Sequence, residues 1–208
     1  MKIRITTFVL SSAVVLAVTA SGEQSKNAAR VVDLKSPDGT ILKAAYFAAA
    51  KPGPGVLLFH QSNRTRKSWE DVAKQLADAG ISVLTVDSRG HGESGGTSKE
   101  ARKTWWPADL DAAIEYLASQ PGVQRDLIGV GGAGALGVDN SVETARRHPA
   151  QVKSLALLSG ETLRPQLQFL HDAPQLPELF VVSDEDEYPR PRKPCNCSTL
   201  PPPTRLRS

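Results

Sequence analysis

The chain has 208 residues, enough for one domain and too few for two of ordinary size. Its formal net charge of +3 comes from its ends: seven basic residues lie in 1–20 and 190–208, where there is no acid, so 21–189 carries 18 basic and 22 acidic residues, a net of −4. That balance excludes a basic footprint for nucleic acid, whose binding rests on phosphate neutralisation.

The N-terminus opens with Lys2 and Arg4, continues with an apolar stretch over 8–18 and closes on the small residues Val18-Thr19-Ala20. This pattern predicts a secretory signal peptide over 1–20, and hence a secreted or periplasmic domain. The apolar stretch is about half of the ~20 residues a membrane span needs, so an uncleaved anchor is the weaker alternative. Nothing later in the sequence is long and apolar enough to span a bilayer.

Residues 31–34 and 41–47 flank the turn tripeptide Pro37-Asp38-Gly39 and predict a hairpin. Pro52-Gly53-Pro54-Gly55 reads as a chain break, after which 56–59 form a continuous apolar run, the mark of a strand buried on both faces. A helix is expected over 68–79, with Ser68 and Asp71 as a capping box, an apolar stripe of Trp69, Val72, Ala73 and Leu76, and Gly80 as its stop. Residues 81–86 predict a second core strand. Pro107 suits a first helical position ahead of the stripe Leu110, Ala113, Ile114 and Leu117. Residues 127–130 predict a third core strand, followed by a glycine-rich turn and a short helix over 141–148. Residues 152–158 and 179–182 predict the fourth and fifth core strands. Alternation of this kind implies an α/β domain over 21–188, a mostly parallel sheet flanked by helices.

Residues 189–208 hold six prolines, five basic residues and the two cysteines, with no core-forming pattern. They read as a disordered tail. Cys195 and Cys197 form a lone C-x-C, without the second ligand pair of a structural zinc site.

In an open α/β sheet, functional loops gather at the C-terminal ends of the strands. Four are readable: one beginning His60-Gln61-Ser62, one running from Asp87 to Ser94, one spanning the glycines from Gly131 to Gly137, and an acidic loop containing Asp186. The stretch Asp87-Ser88-Arg89-Gly90-His91-Gly92-Glu93-Ser94 resembles the D-x-R-G-H-G-x-S loop of the α/β-hydrolase superfamily. His60 stands where that family has His-Gly after the third strand, the segment 126–137 resembles the strand and turn leading to its nucleophile elbow, and Asp186 matches its acid. The likeness runs from about residue 31 to 189 and is nearest to secreted esterases and dienelactone-hydrolase-like proteins.

The resemblance implies an ester-like small-molecule substrate, no cofactor and no metal. It also implies a Ser, Cys or Asp at a strand-to-helix turn, a His as base, an acid to orient it, and backbone N–H groups for the oxyanion. The elbow does not supply the nucleophile. Anchoring G-x-S-x-G on Gly132 puts Gly134 at the nucleophile position, and anchoring on Gly137 puts Ala135 there. Ser141 lies four residues past Gly137, too far along to occupy the tip.

No His follows Asp186, so a base could come only from a relocated residue such as His91 or His171. Gln61 offers its N–H as the oxyanion donor, and Arg64, Arg66 and Lys67 read as a solvated face. The expected fold is therefore an α/β-hydrolase core truncated before its final strand and helix. A shift of reading frame near codon 189, with a compensated one near codon 134, would produce both the tail and the altered elbow.

Three functions stay open: an esterase-type hydrolase with activity lost or relocated, a secreted non-catalytic binding protein on the same scaffold, and a dinucleotide-binding oxidoreductase. The last rests on Gly132, Gly134 and Gly137, which match G-x-G-x-x-G, with Glu161 as the ribose acid.

Overall fold

The computed structural model describes residues 29–100, 106–160, 162 and 164–182. The signal peptide over 1–20, the acidic loop with Asp186, Glu161 and the tail over 189–208 lie outside them. Seven strands form one sheet: β1 (Arg30–Lys35), β2 (Ile41–Phe47), β3 (Gly53–Phe59), β4 (Ser82–Val86), β5 (Val123–Ala133), β6 (Val152–Leu158) and β7 (Glu178–Val181). Their order is β1-β2-β4-β3-β5-β6-β7. β1 and β2 are the expected hairpin, β2 joins β4 antiparallel, and every later pairing is parallel.

The helices are α1 (Glu70–Asp78), the single turn α2 (Ser98–Glu100), α3 (Trp106–Ser119), α4 (Gly134–Arg147) and α5 (Arg164–Asp172). Two cores result, because alternate residues of a buried strand face opposite sides. Leu57, Phe59, Leu84 and Val86 pack with Leu110, Ile114 and Leu117 of α3 and Val138 and Val142 of α4. Leu58 and Val83 point the other way, onto Ala73 and Ala77 of α1. Each fully buried Leu or Ile of the α3 stripe contributes roughly 1.5–3 kcal/mol relative to exposure.

Several local expectations change. The Pro-Gly repeat at 52–55 does not precede β3 but begins it: a Cβ on Gly53 would stand 2.6 Å from the Gly80 carbonyl oxygen, so that strand start can be close-packed only with glycine. The first turn of the expected 68–79 helix is a 3₁₀ turn (Arg66–Trp69). No capping box forms, because the Ser68 hydroxyl donates back to the Thr65 carbonyl at 2.9 Å. Val72 is exposed, and the buried stripe of α1 narrows to Ala73 and Ala77 with Trp69 and Leu76 beside it.

The glycine-rich turn after residue 130 is no loop. β5 runs on to Ala133 and α4 starts at Gly134, seven residues before the expected helix. α5 was not foreseen. β7 is an edge strand among the described residues, and its Leu179, Phe180 and Val181 are exposed rather than core. No helix among the described residues is long and apolar enough to cross a membrane.

Candidate active site

The loop from Asp87 to Ser94 is held by its own constant residues. Asp87 follows the last residue of β4 and is fully buried. Its carboxylate accepts from the Arg66 N–H at 2.6 Å, from the Arg66 guanidinium and from the Glu93 N–H at 3.0 Å. Gly92, at φ +53°, must be glycine because a Cβ there would stand 2.3 Å from that carboxylate. The Ser94 hydroxyl donates to the Asp87 carbonyl at 2.6 Å and accepts from the Lys43 N–H at 2.8 Å, tying the loop to β2.

Arg89 is 3% exposed and pairs bidentately with Asp109 of α3, at 2.8 and 2.7 Å, and with Asp38 of the hairpin turn. That pairing holds the Asp38 carboxyl well below the usual carboxylate range. Gly90, at φ +71°, donates to the Gly95 carbonyl and turns the loop. Arg66, expected on a solvated face, is instead 4% exposed and forms the buried end of an Asp87–Arg66–Glu93 network. Of this loop, Ser88, Arg89 and His91 line the cavity over the sheet, and the Glu93 side chain is half exposed.

His60 is fully buried, and both ring nitrogens are engaged. Nδ1 lies 2.8 Å from the Gln61 carbonyl, which can only accept, and Nε2 accepts from the Ser88 N–H at 3.0 Å. These two bonds fix the neutral Nδ1–H tautomer, and burial pushes its pKa down. His60 therefore staples the first loop to the second and has no free ring nitrogen to act as a base. The His91 ring lies 5.4 Å away, centroid to centroid, with Nδ1 3.1 Å from the Arg89 carbonyl.

The elbow register is settled by backbone. Gly134 sits at the junction of β5 and α4 with φ +65°, a conformation that costs an L-residue roughly 1–2 kcal/mol. Gly134, not Ala135, takes the tip, and Ala135 lies in the first turn of α4. A Cβ on Gly134 would stand 2.5 Å from Gln61 Cγ, so the Gln61 side chain occupies the space a tip side chain would need. On the other side Gly160 approaches so closely that a Cβ there would stand 2.5 Å from the Gly134 carbonyl oxygen.

Gly132 and Gly137 serve helix–strand contact. A Cβ on Gly132 would meet the Gly137 carbonyl at 2.0 Å, and one on Gly137 would meet the Phe59 carbonyl at 2.7 Å. The three glycines of the G-x-G-x-x-G match thus face their own chain, which removes the geometric case for a pyrophosphate cradle. Ser141 is fully buried and donates to the Gly137 carbonyl at 2.7 Å, a helix-interior bond away from the tip.

A cavity of about 980 Å³ lies over these loops at the C-terminal ends of the strands. Leu42, Phe59, Val86, Trp106 and Leu110 form much of its apolar wall, with Ala135 and Leu136 of α4 at one side. Among the histidines, His91 alone lines it. His148 instead bonds Asp111 at 2.7 Å beyond the cavity, and His171 is exposed beside Asp172. Three polar residues were not singled out from sequence: Ser88, Asn140 and Trp106, which are bonded in series along the cavity wall. Asn140 had a legible signal, a side-chain amide six residues past the elbow on the helix that opens there. No group of three or more metal-ligating side chains occurs among the described residues.

Comparison with known proteins agrees with this architecture. A thiohydrolase (aneE) of Aspergillus aculeatus is 29% identical over 110 residues, covering 51% of this chain and 34% of its own. Acetyl xylan esterase 1 from Thermoanaerobacterium sp. superposes with a TM-score of 0.59 at 19% identity, over 74% of this chain and 54% of its own. A dienelactone hydrolase-like promiscuous phosphotriesterase from metagenomic libraries gives 0.57 at 23%, over 74% and 67%. The chain thus spans about a third of the curated relative. The family model for serine aminopeptidase, S33, matches residues 50–184. The chain belongs to that family of α/β-hydrolases.

Proposed function

We propose that this protein holds a small ester-like or other carbonyl compound in the cavity above the sheet without forming a covalent intermediate at its elbow. One observation carries the reading: Gly134 takes the strand-to-helix tip at φ +65° with no side chain, and Gln61 fills the space beside it. Nucleophilic catalysis needs a side-chain nucleophile with its base in hydrogen-bond reach. The tip offers none, and His60 is locked as a neutral double partner.

What remains is a largely apolar cavity with a few convergent polar groups, the usual make-up of a small-molecule site. The backbone N–H groups of Gln61 and Ala135 flank the tip and are the donors proposed for a ligand oxygen. Residues 1–20 support export of the protein, which N-terminal sequencing of extracellular or periplasmic material would test.

Titration with ethyl butyrate into the millimolar range, followed by ligand-observed NMR, tests the binding reading. Saturable binding that is competed by other short-chain esters is expected. Signal that rises linearly without saturation, and is equal for heat-unfolded protein, would contradict it.

A further inference from the structure

Two hydrogen bonds along the cavity wall run in one direction. The Trp106 indole N–H donates to Asn140 Oδ1 at 2.6 Å, and Asn140 Nδ2 donates to Ser88 Oγ at 3.2 Å. The first bond decides the second. An indole N–H can only donate, so it fixes which end of the Asn140 amide faces it and leaves the –NH₂ group to face Ser88. Asn140 is 2% exposed, so its amide is held by packing as well as by the indole. Ser88 Oγ therefore receives a hydrogen bond. Its backbone N–H is committed to His60 Nε2 at 3.0 Å. Among the described residues its own hydroxyl proton has no acceptor, although Ser88, Asn140 and Trp106 all line the cavity.

We infer that Ser88 is a ligand-recognition residue, its hydroxyl the terminal donor of a Trp106–Asn140–Ser88 relay that selects a ligand carrying a carbonyl or other acceptor oxygen. The inference rests on the cavity reading above and adds the group that reads the ligand. Accepting from Asn140 polarises the Ser88 O–H and strengthens it as a donor. The same bond withdraws density from Oγ, and no base accepts its proton among the described residues, so the residue is a donor and not a displaced nucleophile. The apolar wall around it makes the bond selective, since a ligand without an acceptor covers the donor and leaves it unpaired.

The test compares acetophenone with ethylbenzene, which has the same skeleton without the carbonyl, by ligand-observed NMR on the full chain. Both bind the native protein. Ser88→Ala weakens acetophenone by about three- to tenfold, the usual worth of one neutral hydrogen bond, and does not weaken ethylbenzene, which binds equally or more tightly once the unpaired donor is gone. Asn140→Asp reverses the relay: the new carboxylate accepts from both the indole and the Ser88 hydroxyl, so acetophenone weakens while benzyl alcohol, which can donate to Oγ, does not. Circular dichroism confirms that each variant is folded. Equal acetophenone affinity in native and Ser88→Ala protein would overturn the relay and leave the cavity reading standing. Failure of both aromatics to bind native protein would overturn the cavity reading and the relay with it.

Discussion

At the scale of single residues, the tip of the elbow is a coupled pair. Gly134 has no side chain and Gln61 stands where one would be, so restoring a hydroxyl at the tip is not a single substitution. Gly134→Ser adds the cost of positive φ, about 1–2 kcal/mol, to an overlap with Gln61 of about 1–3 kcal/mol. Adding Gln61→Gly relieves the second part and leaves the first. Urea midpoints of the two single variants and the double should therefore give a favourable coupling of about 1–3 kcal/mol. Strict additivity would mean that the two side chains do not meet.

His60 gives a second residue-level prediction. Burial lowers its folded-state pKa below the ordinary histidine value of about 6.5, so below that pH the unfolded chain binds a proton that the folded chain does not. The stability held by the neutral ring is complete above the unfolded value and is lost as pH falls below it. The slope attributable to this group approaches at most about 1.4 kcal/mol per pH unit. Comparing urea midpoints at neutral and mildly acid pH should show a steeper loss for the native protein than for His60→Gln. Parallel losses would show that the ring is not held neutral.

At the scale of elements, the clearest lesson lies in the glycines from 131 to 137. Read as sequence, they signal a loop, because glycine is the usual breaker of regular structure. In the structure they are the end of a strand and the first turn of a helix, and they are glycine because β5, α4 and β3 approach too closely for side chains. That requirement comes from tertiary contact, which no local pattern contains. Gly132→Ala should therefore be far worse than a helix- or strand-propensity change. Its Cβ would lie 2.0 Å from backbone, so β5 and α4 must separate, at a cost of at least about 3 kcal/mol and with loss of the native melting transition. A native-like melt would show that the packing yields cheaply.

The hairpin and the buried strands were legible for the opposite reason: their apolar runs and turn residues carry the information locally. The exposed β7 misled because an apolar run is silent about whether another element covers it.

For the whole molecule, the sequence order of the family loops was enough to anticipate the mostly parallel sheet, and the match to residues 50–184 agrees. The site was only half legible. Most of the motif residues of the Asp87–Ser94 loop stand out in sequence, yet in space they build the loop, while the cavity is lined by the variable position Ser88 together with the motif residues Arg89 and His91. Arg66 looked like a surface charge because its partner Asp87 is 21 residues away in sequence. The polar series from Trp106 to Ser88 joins three separate segments and has no sequence signature at all.

These arrangements support one account: a hydrolase scaffold whose cavity is kept and whose elbow carries no nucleophile. The most direct measurement is the release of p-nitrophenolate from p-nitrophenyl butyrate by folded protein, by the same protein heat-unfolded, and by folded protein pretreated with a serine-directed fluorophosphonate. The account predicts equal rates in all three and no added mass from the fluorophosphonate. Saturable turnover by the folded protein, abolished by the fluorophosphonate, would contradict it.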